Sequence, residues 1–283
     1  YHGTFDPLLT LKRDHQTNIA KESIPGITQS TLNESYVFDY GSEASLDFIK
    51  KNTDNIAAVL VEPVQSRNPS FQPIAFLKEI RSITEQNDIA LIFDEVIFGF
   101  RFGCEGDAGL YNIKPDIVTY GKIVGGGMPV GCYGASAEIM SSIAPDGDVY
   151  QAGTLSGNPV AMSAGLIMLD EVSQPGFYEQ LTDYTSRLLS GMKERASAAK
   201  VDFHTNQVGG MFGLFFTDQT QVTCFTETMA CDGQKFSRFF HLMLQHGVYL
   251  APSAFEAGFV STAHGEKELM HTLDAAERAF AQL

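Results

Sequence analysis

In the segment IALIFDEVIFGFR, five apolar residues, Ile89 to Phe93, run straight into Asp94 and Glu95. A run of that kind reads as a buried strand, and the carboxyl ends of parallel strands are where open α/β sheets bind ligands. An aspartate at such a point equally serves to cap the turn that follows. Lys122 stands 28 positions after Asp94, in PDIVTYGKIVGGGMPVG. It follows a second apolar run and precedes three glycines, which let a backbone approach a ligand closely. The ordinary fate of a lysine is to lie along the surface with its ammonium in water. Brought to one sheet edge, however, the two side chains form a specific pair. The amine can attack an aldehyde carbon, and the carboxylate can keep a ring nitrogen protonated, which is what pyridoxal phosphate chemistry requires. Other phosphate and metal signatures are missing. Gly121-Lys122 fails the GxxxxGK[ST] pattern on both sides, and neither GxGxxG nor HExxH occurs.

The elements that must hold these residues read as α/β. Between Ile56 and Gly134 short apolar runs alternate with a helical segment, the signature of a parallel sheet covered on both faces. Strands are expected at Ala57 to Val64, Ile89 to Asp94, Asp116 to Tyr120 and Val130 to Gly134, with a helix over Ile74 to Gln86. Pro159 favours a helix start after Asn158, and Pro175-Gly176 ends that helix. A boundary near Gln174 divides the chain into a large domain, 1–174, and a smaller α+β domain, 175–283. The second is expected to hold a polar helix to about Ala199, a strand over Gly210 to Thr217, and helices over Asp232 to Gln245 and Glu266 to Ala281.

The 283 residues suffice for one large or two modest domains. With 34 acidic and 19 basic side chains the formal charge is −15, which repels phosphate backbones and anionic lipid, so neither nucleic acid nor membrane is an expected partner. The apolar runs fall far short of a membrane span. The four cysteines have neither the density of a disulfide scaffold nor paired CxxC spacing, so no metal site and a reducing, cytoplasmic setting are expected.

Several longer words point to a family. YHG at the amino end, VEPV at Val61 to Val64, FDEVIFGFR, TYGKIVGGGMPVG and YQAGTLSGNPVAM stand in the order found in class III aminotransferases. The chain resembles that family over nearly its whole length. It is most similar to the glutamate-1-semialdehyde 2,1-aminomutases at Tyr150 to Met162, GGMFGLFFT and GVYLAPSAFEAGFVSTAH. The resemblance implies the fold type I architecture of pyridoxal-phosphate-dependent transferases, a mainly parallel sheet flanked by helices plus a smaller carboxyl-terminal domain. It implies pyridoxal 5′-phosphate as cofactor, with pyridoxamine 5′-phosphate as its other form in the cycle, and a small amino or oxo substrate. By the same resemblance Lys122 is the lysine that bonds the cofactor and Asp94 the partner of its ring nitrogen. Tyr1 stacks on one ring face, Val96 packs on the other, and Thr154 reaches a phosphate across a homodimer interface, giving composite sites. His2 stands near the cofactor or serves a structural role. Glu62 and Glu256 are substrate-proximal or structural, and Arg101 binds a carboxylate or is structural.

Two departures from the family shape the expectation. Its members carry, upstream of YHG, an SGTEA-like turn whose amides and hydroxyls hold the cofactor phosphate. This chain starts at YHG and is expected to be a fragment, so a non-catalytic dimerisation module is an alternative. The EPVQSRNPSFQP segment also differs from the aminomutases and, with YHGTFD, resembles aminotransferase domains of hybrid peptide and polyketide synthases. That relationship implies a carrier-bound oxoacyl chain as substrate and a carrier-protein domain as partner.

Overall fold

The computed structural model describes all residues except 1, 11, 22, 23, 66, 67, 70, 223 and 224, and the side chains of 107, 225 and 226. The amino-terminal part holds a two-strand ribbon, β1 (Lys12–Arg13) and β2 (Ala20–Lys21), then α1 (Gln29–Leu32) and α2 (Glu43–Lys51). The principal sheet follows: β3 (Ala58–Val61), α3 (Ile74–Gln86), β4 (Ala90–Glu95), α4 (Gly106–Tyr111), β5 (Ile117–Gly121) and β6 (Gly131–Ala135). After α5 (Ala137–Met140), α6 (Pro159–Val172) and α7 (Phe177–Ala198) come β7 (His204–Val208), β8 (Met211–Phe215), α8 (Phe225–Ala230), α9 (Gly233–Gln245), β9 (Gly258–Phe259) and α10 (Glu266–Phe280). No described helix is long and apolar enough to cross a membrane.

All four expected strands of the principal sheet form, in the order β3-β4-β5-β6. The first is shorter than expected, ending at Val61, where Pro63 two residues on removes an N–H donor. β3, β4 and β5 are parallel, but β6 runs antiparallel to β5, with Gly121 opposite Gly131. This corrects the reading of Val130 to Gly134 as a further parallel strand. Residues 122–130 are too few for a parallel crossover, which takes about a dozen or more, so the chain turns back directly. Leu91 and Phe93 of β4 pack with Val59, Val61, Leu77 and Ile80 in one buried cluster. The spacing of Leu77 and Ile80 puts both on one face of α3.

A second buried cluster gathers Leu188 and Met192 of α7, Phe212 and Leu214 of β8, Phe239 and Met243 of α9, and Ala276 and Phe280 of α10. The strand expected over Gly210 to Thr217 is β8, and it pairs with β7 and β9, neither of which the apolar pattern marks. β7 reads HTNQV, too polar to signal a strand. Met211 and Ala257 belong instead to the first cluster, beside Val64 and Phe98, which lie just beyond the carboxyl ends of β3 and β4.

The paired acids of β4 face opposite ways, as strand alternation requires. Glu95 is fully buried, and its Oε1 accepts the N–H of Ala108 at 3.0 Å, tying α4 to the strand end. Gly106, at φ +63°, leaves room for that carboxylate, because a Cβ there would collide with Glu95 Oε2. Gly106→Ala is therefore expected to destabilise the fold by about 2 kcal/mol, through backbone strain and displacement of a buried charge. Equilibrium unfolding checks this; an unchanged midpoint would contradict it.

Candidate active site

Strand register brings the chemical side chains to one edge. Val61 lies opposite Phe93, and the next residues on the two strands are Glu62 and Asp94; Asp94 in turn lies opposite Thr119 of β5. Lys122 follows Gly121, the last residue of β5. Glu62, Asp94 and Lys122 thus leave the carboxyl edge of three adjacent parallel strands, where α/β sheets bind ligands.

Asp94 is buried and held on both carboxylate oxygens. It is 7% exposed, its Oδ2 lies 2.7 Å from His2 Nδ1, and its Oδ1 accepts the Val96 N–H at 3.0 Å. Burial pushes the carboxyl upward, but the His2 ring and the Val96 amide outweigh it and hold the group below the usual aspartate value. The charged form is therefore the one the fold favours, and the His2 nitrogen facing it carries the proton. A lowered folded-state value means that the contact stabilises above the ordinary aspartate range and is lost as pH falls through it. The stability gap between the wild type and Asp94→Asn is expected to be present at neutral pH and to narrow below a pH of about 3.9. Denaturation midpoints across that range measure it, and a gap constant down to low pH would contradict it.

Lys122 is exposed and sits at φ +52°, a left-handed conformation uncommon for any residue with a Cβ. Such strain persists where the surroundings over-determine it and clusters at functional positions. The chain leaves β5 extended at Gly121 and enters a single 3₁₀ turn over Lys122–Gly125, which redirects the lysine away from the strand line. The Val96 side chain covers Gly121: a Cβ at that glycine would come within 3.1 Å of Val96 Cγ1. Val96 is half-buried, so the residue that fixes Asp94 through its N–H also packs beside the root of Lys122.

Of the three glycines after Lys122, Gly127, at φ +89°, has open space where a Cβ would stand, whereas Gly126 is enclosed. Gly126, at φ +57°, closes on α6, where a Cβ would collide with the Ala164 carbonyl. Gly165 of α6 meets the Val124 carbonyl in the same way, so small residues on both sides clamp the lysine turn against the helix. Thr154 lies on an exposed turn before Asn158, whose Oδ1 caps α6 by accepting the Ala161 N–H at 3.0 Å. Among the described residues Thr154 makes no hydrogen bond to the Asp94–His2 pair. Tyr1 lies outside the described residues.

Glu62 is 9% exposed at the end of β3. Glu256 is exposed and lines a cavity of about 350 Å³ walled by Phe212, Leu214, Phe236, Leu250 and Phe259. Arg101 lies over the Phe259 ring, 4.2 Å from its centroid. Phe259 is the member of this group that the sequence did not single out; its only signal was an aromatic within the FEAGF segment.

The donor set suits a flat cationic heterocycle bearing an aldehyde. A buried, ionised carboxylate matches a protonated ring nitrogen, an exposed amine matches the aldehyde carbon, and an aliphatic side chain beside that amine matches a ring face. These residues therefore fit the pyridoxal ring of pyridoxal phosphate.

A parallel α/β sheet with an aspartate and a strained lysine at its carboxyl edge defines a class of cofactor-binding folds. Within it, residues 1–269 match the family model of the class-III aminotransferases, and the chain belongs to that family. Solved structures agree. An omega-transaminase from Sphaerobacter thermophilus is 28% identical, with a TM-score of 0.85 over 99% of this chain and 66% of that one. A β-phenylalanine aminotransferase from Variovorax paradoxus is 25% identical, with a TM-score of 0.74 over 85% of this chain and 56% of that one. A glutamate-1-semialdehyde aminomutase from Pseudomonas aeruginosa PAO1 shares the fold, at 20% identity and a TM-score of 0.82, over 100% of this chain and 64% of that one. The chain thus spans just under two thirds of the first of these structures' length, or less for the others.

Proposed function

We propose that this chain carries the catalytic lysine and ring-nitrogen aspartate of a pyridoxal-5′-phosphate-dependent enzyme that transfers an amino group on a small amino or oxo substrate. The observation that carries the reading is the buried Asp94, held ionised by His2 and the Val96 amide, on the strand next to the one that presents Lys122. When bound, the cofactor supplies an electron sink for the carbon that loses its proton. Asp94 keeps the ring nitrogen protonated, and His2 fixes the carboxylate's orientation. The Lys122 amine, exposed and free to swing on a four-carbon stem, would move the proton at the reacting carbon. Val96 would cover one ring face, and the family resemblance assigns the other to Tyr1. Glu62 and Glu256 lie toward the substrate.

The same residues serve a transaminase that uses a separate amino donor and an aminomutase that returns the nitrogen to a neighbouring carbon. A carrier-bound oxoacyl chain is the alternative substrate, suggested by the EPVQSRNPSFQP segment. The working unit is a homodimer, with Thr154 reaching the cofactor phosphate of the second copy. Support comes from α6, which is apolar nearly all round yet leaves Val160, Leu166 and Ile167 exposed, an arrangement suited to burial against another chain. The chain divides near Gln174, and the free cysteines Cys104, Cys132 and Cys231 suit a reducing cytoplasm.

Titration of the protein with pyridoxal phosphate tests the reading. A new absorbance band that is lost in Lys122→Ala is expected, and an identical spectrum in the variant would refute it.

A further inference from the structure

Arg101 is a half-buried cation without a counter-ion among the described residues. Its Nε donates to the Ile97 carbonyl at 2.9 Å, and its guanidinium lies over the Phe259 ring. Among the described residues its terminal nitrogens meet no acceptor, and no carboxylate pairs with it. Desolvation pulls its pKa down to about 10, so it stays charged at neutral pH while paying for its burial. Stacking on Phe259 offsets part of that cost, and an arriving carboxylate, bound by both terminal nitrogens, would offset more.

The neighbourhood adds a chain-binding surface. Phe259 also walls the 350 Å³ cavity, whose other sides are mostly apolar: Phe212, Leu214, Phe236 and Leu250. Ala257, in the same wall, belongs to the buried cluster that also holds Val64 and Phe98, just beyond the ends of β3 and β4. Phe259 thus stands between the cavity and Arg101, which lies on the turn that follows β4, the strand that carries Asp94. The carboxylate on the cavity is Glu256, at its exposed rim. It repels a second negative charge on any ligand in the cavity.

We propose that Arg101 and this cavity form a subsite for an apolar-chained monocarboxylate, with the guanidinium binding the carboxylate and the Phe259-lined cavity taking the chain. Resting on the function proposed above, this makes Arg101 a specificity-determining residue and names the substrate class: amino or oxo compounds with one carboxylate and an apolar segment. Dicarboxylates are disfavoured.

Calorimetric titration of the protein with hexanoate, hexan-1-ol and adipate, without added cofactor, tests the subsite. Hexanoate is expected to bind about tenfold or more tightly than hexan-1-ol, the gain from charge-assisted hydrogen bonds, and more tightly than adipate. The preference for hexanoate over hexan-1-ol should vanish in Arg101→Gln. Equal binding of hexanoate and hexan-1-ol by the wild-type protein overturns the proposal without relying on any variant's folding. So does a preference that survives in Arg101→Gln, or tighter binding of adipate. Because no cofactor is present, a failure here leaves cofactor attachment at Lys122 untouched. Failure of that attachment would in turn leave a carboxylate site standing.

Discussion

Replacing Lys122 by alanine in the intact protein is expected to lower amino transfer by about 10³-fold or more, within the range that a positioned acid-base group contributes. The loss should lie in turnover, because the amine acts at the reacting carbon rather than in holding the substrate. Folding should be preserved: alanine has a Cβ like lysine, so the left-handed conformation at this position costs the variant no more than the wild type. Lys122→Arg sharpens the prediction. It keeps the positive charge but has no amine that can bond a carbonyl carbon or give up a proton near neutral pH, so it should be as inactive as the alanine variant. Substantial activity in Lys122→Arg would reduce the role of the lysine to electrostatics. Lys114 offers no substitute, since it lies ahead of β5, toward the opposite edge of the sheet from Lys122.

Asp94→Asn carries the second large effect. The amide fits the same space: its oxygen can still accept the Val96 N–H, and its NH2 can donate to His2 once the ring takes its other tautomer, so fold and cofactor binding should survive. It brings no negative charge, however, and a neutral partner does not hold a ring nitrogen protonated. Proton removal from the substrate is expected to slow on the order of 10²-fold or more, seen as a slower half-reaction in single-turnover absorbance. A half-reaction near the wild-type rate would show that Asp94 serves only to anchor the turn at Val96.

The position of Asp94 was legible because it closes the uninterrupted apolar run Ile89 to Phe93, and that of Lys122 because it stands between the strand-like IVTY segment and three glycines. Their adjacency followed from parallel order, which β4 and β5 keep. The antiparallel turn-back of β6 was not read, although the short stretch between Lys122 and Gly131 held the information. His2 lies 92 positions from Asp94, and no local pattern links a histidine at the start of the chain to a strand end so far along. The three glycines illustrate a different limit. Their freedom was visible, but whether it admits a ligand or a helix depends on what packs there, and at Gly126 that is α6. Pairing of Arg101 with Phe259 joins a turn after β4 to a two-residue strand that carries no periodic signal. Contacts made by irregular segments were thus the part hidden from the sequence.

Borohydride reduction of the protein loaded with pyridoxal phosphate, followed by peptide mapping, tests the central claim most directly. A pyridoxyl group is expected on the peptide that contains Lys122, in the TYGKIVGGG segment. Recovery of the group on Lys114 or another lysine, or the absence of any fixed label from loaded protein, would contradict it.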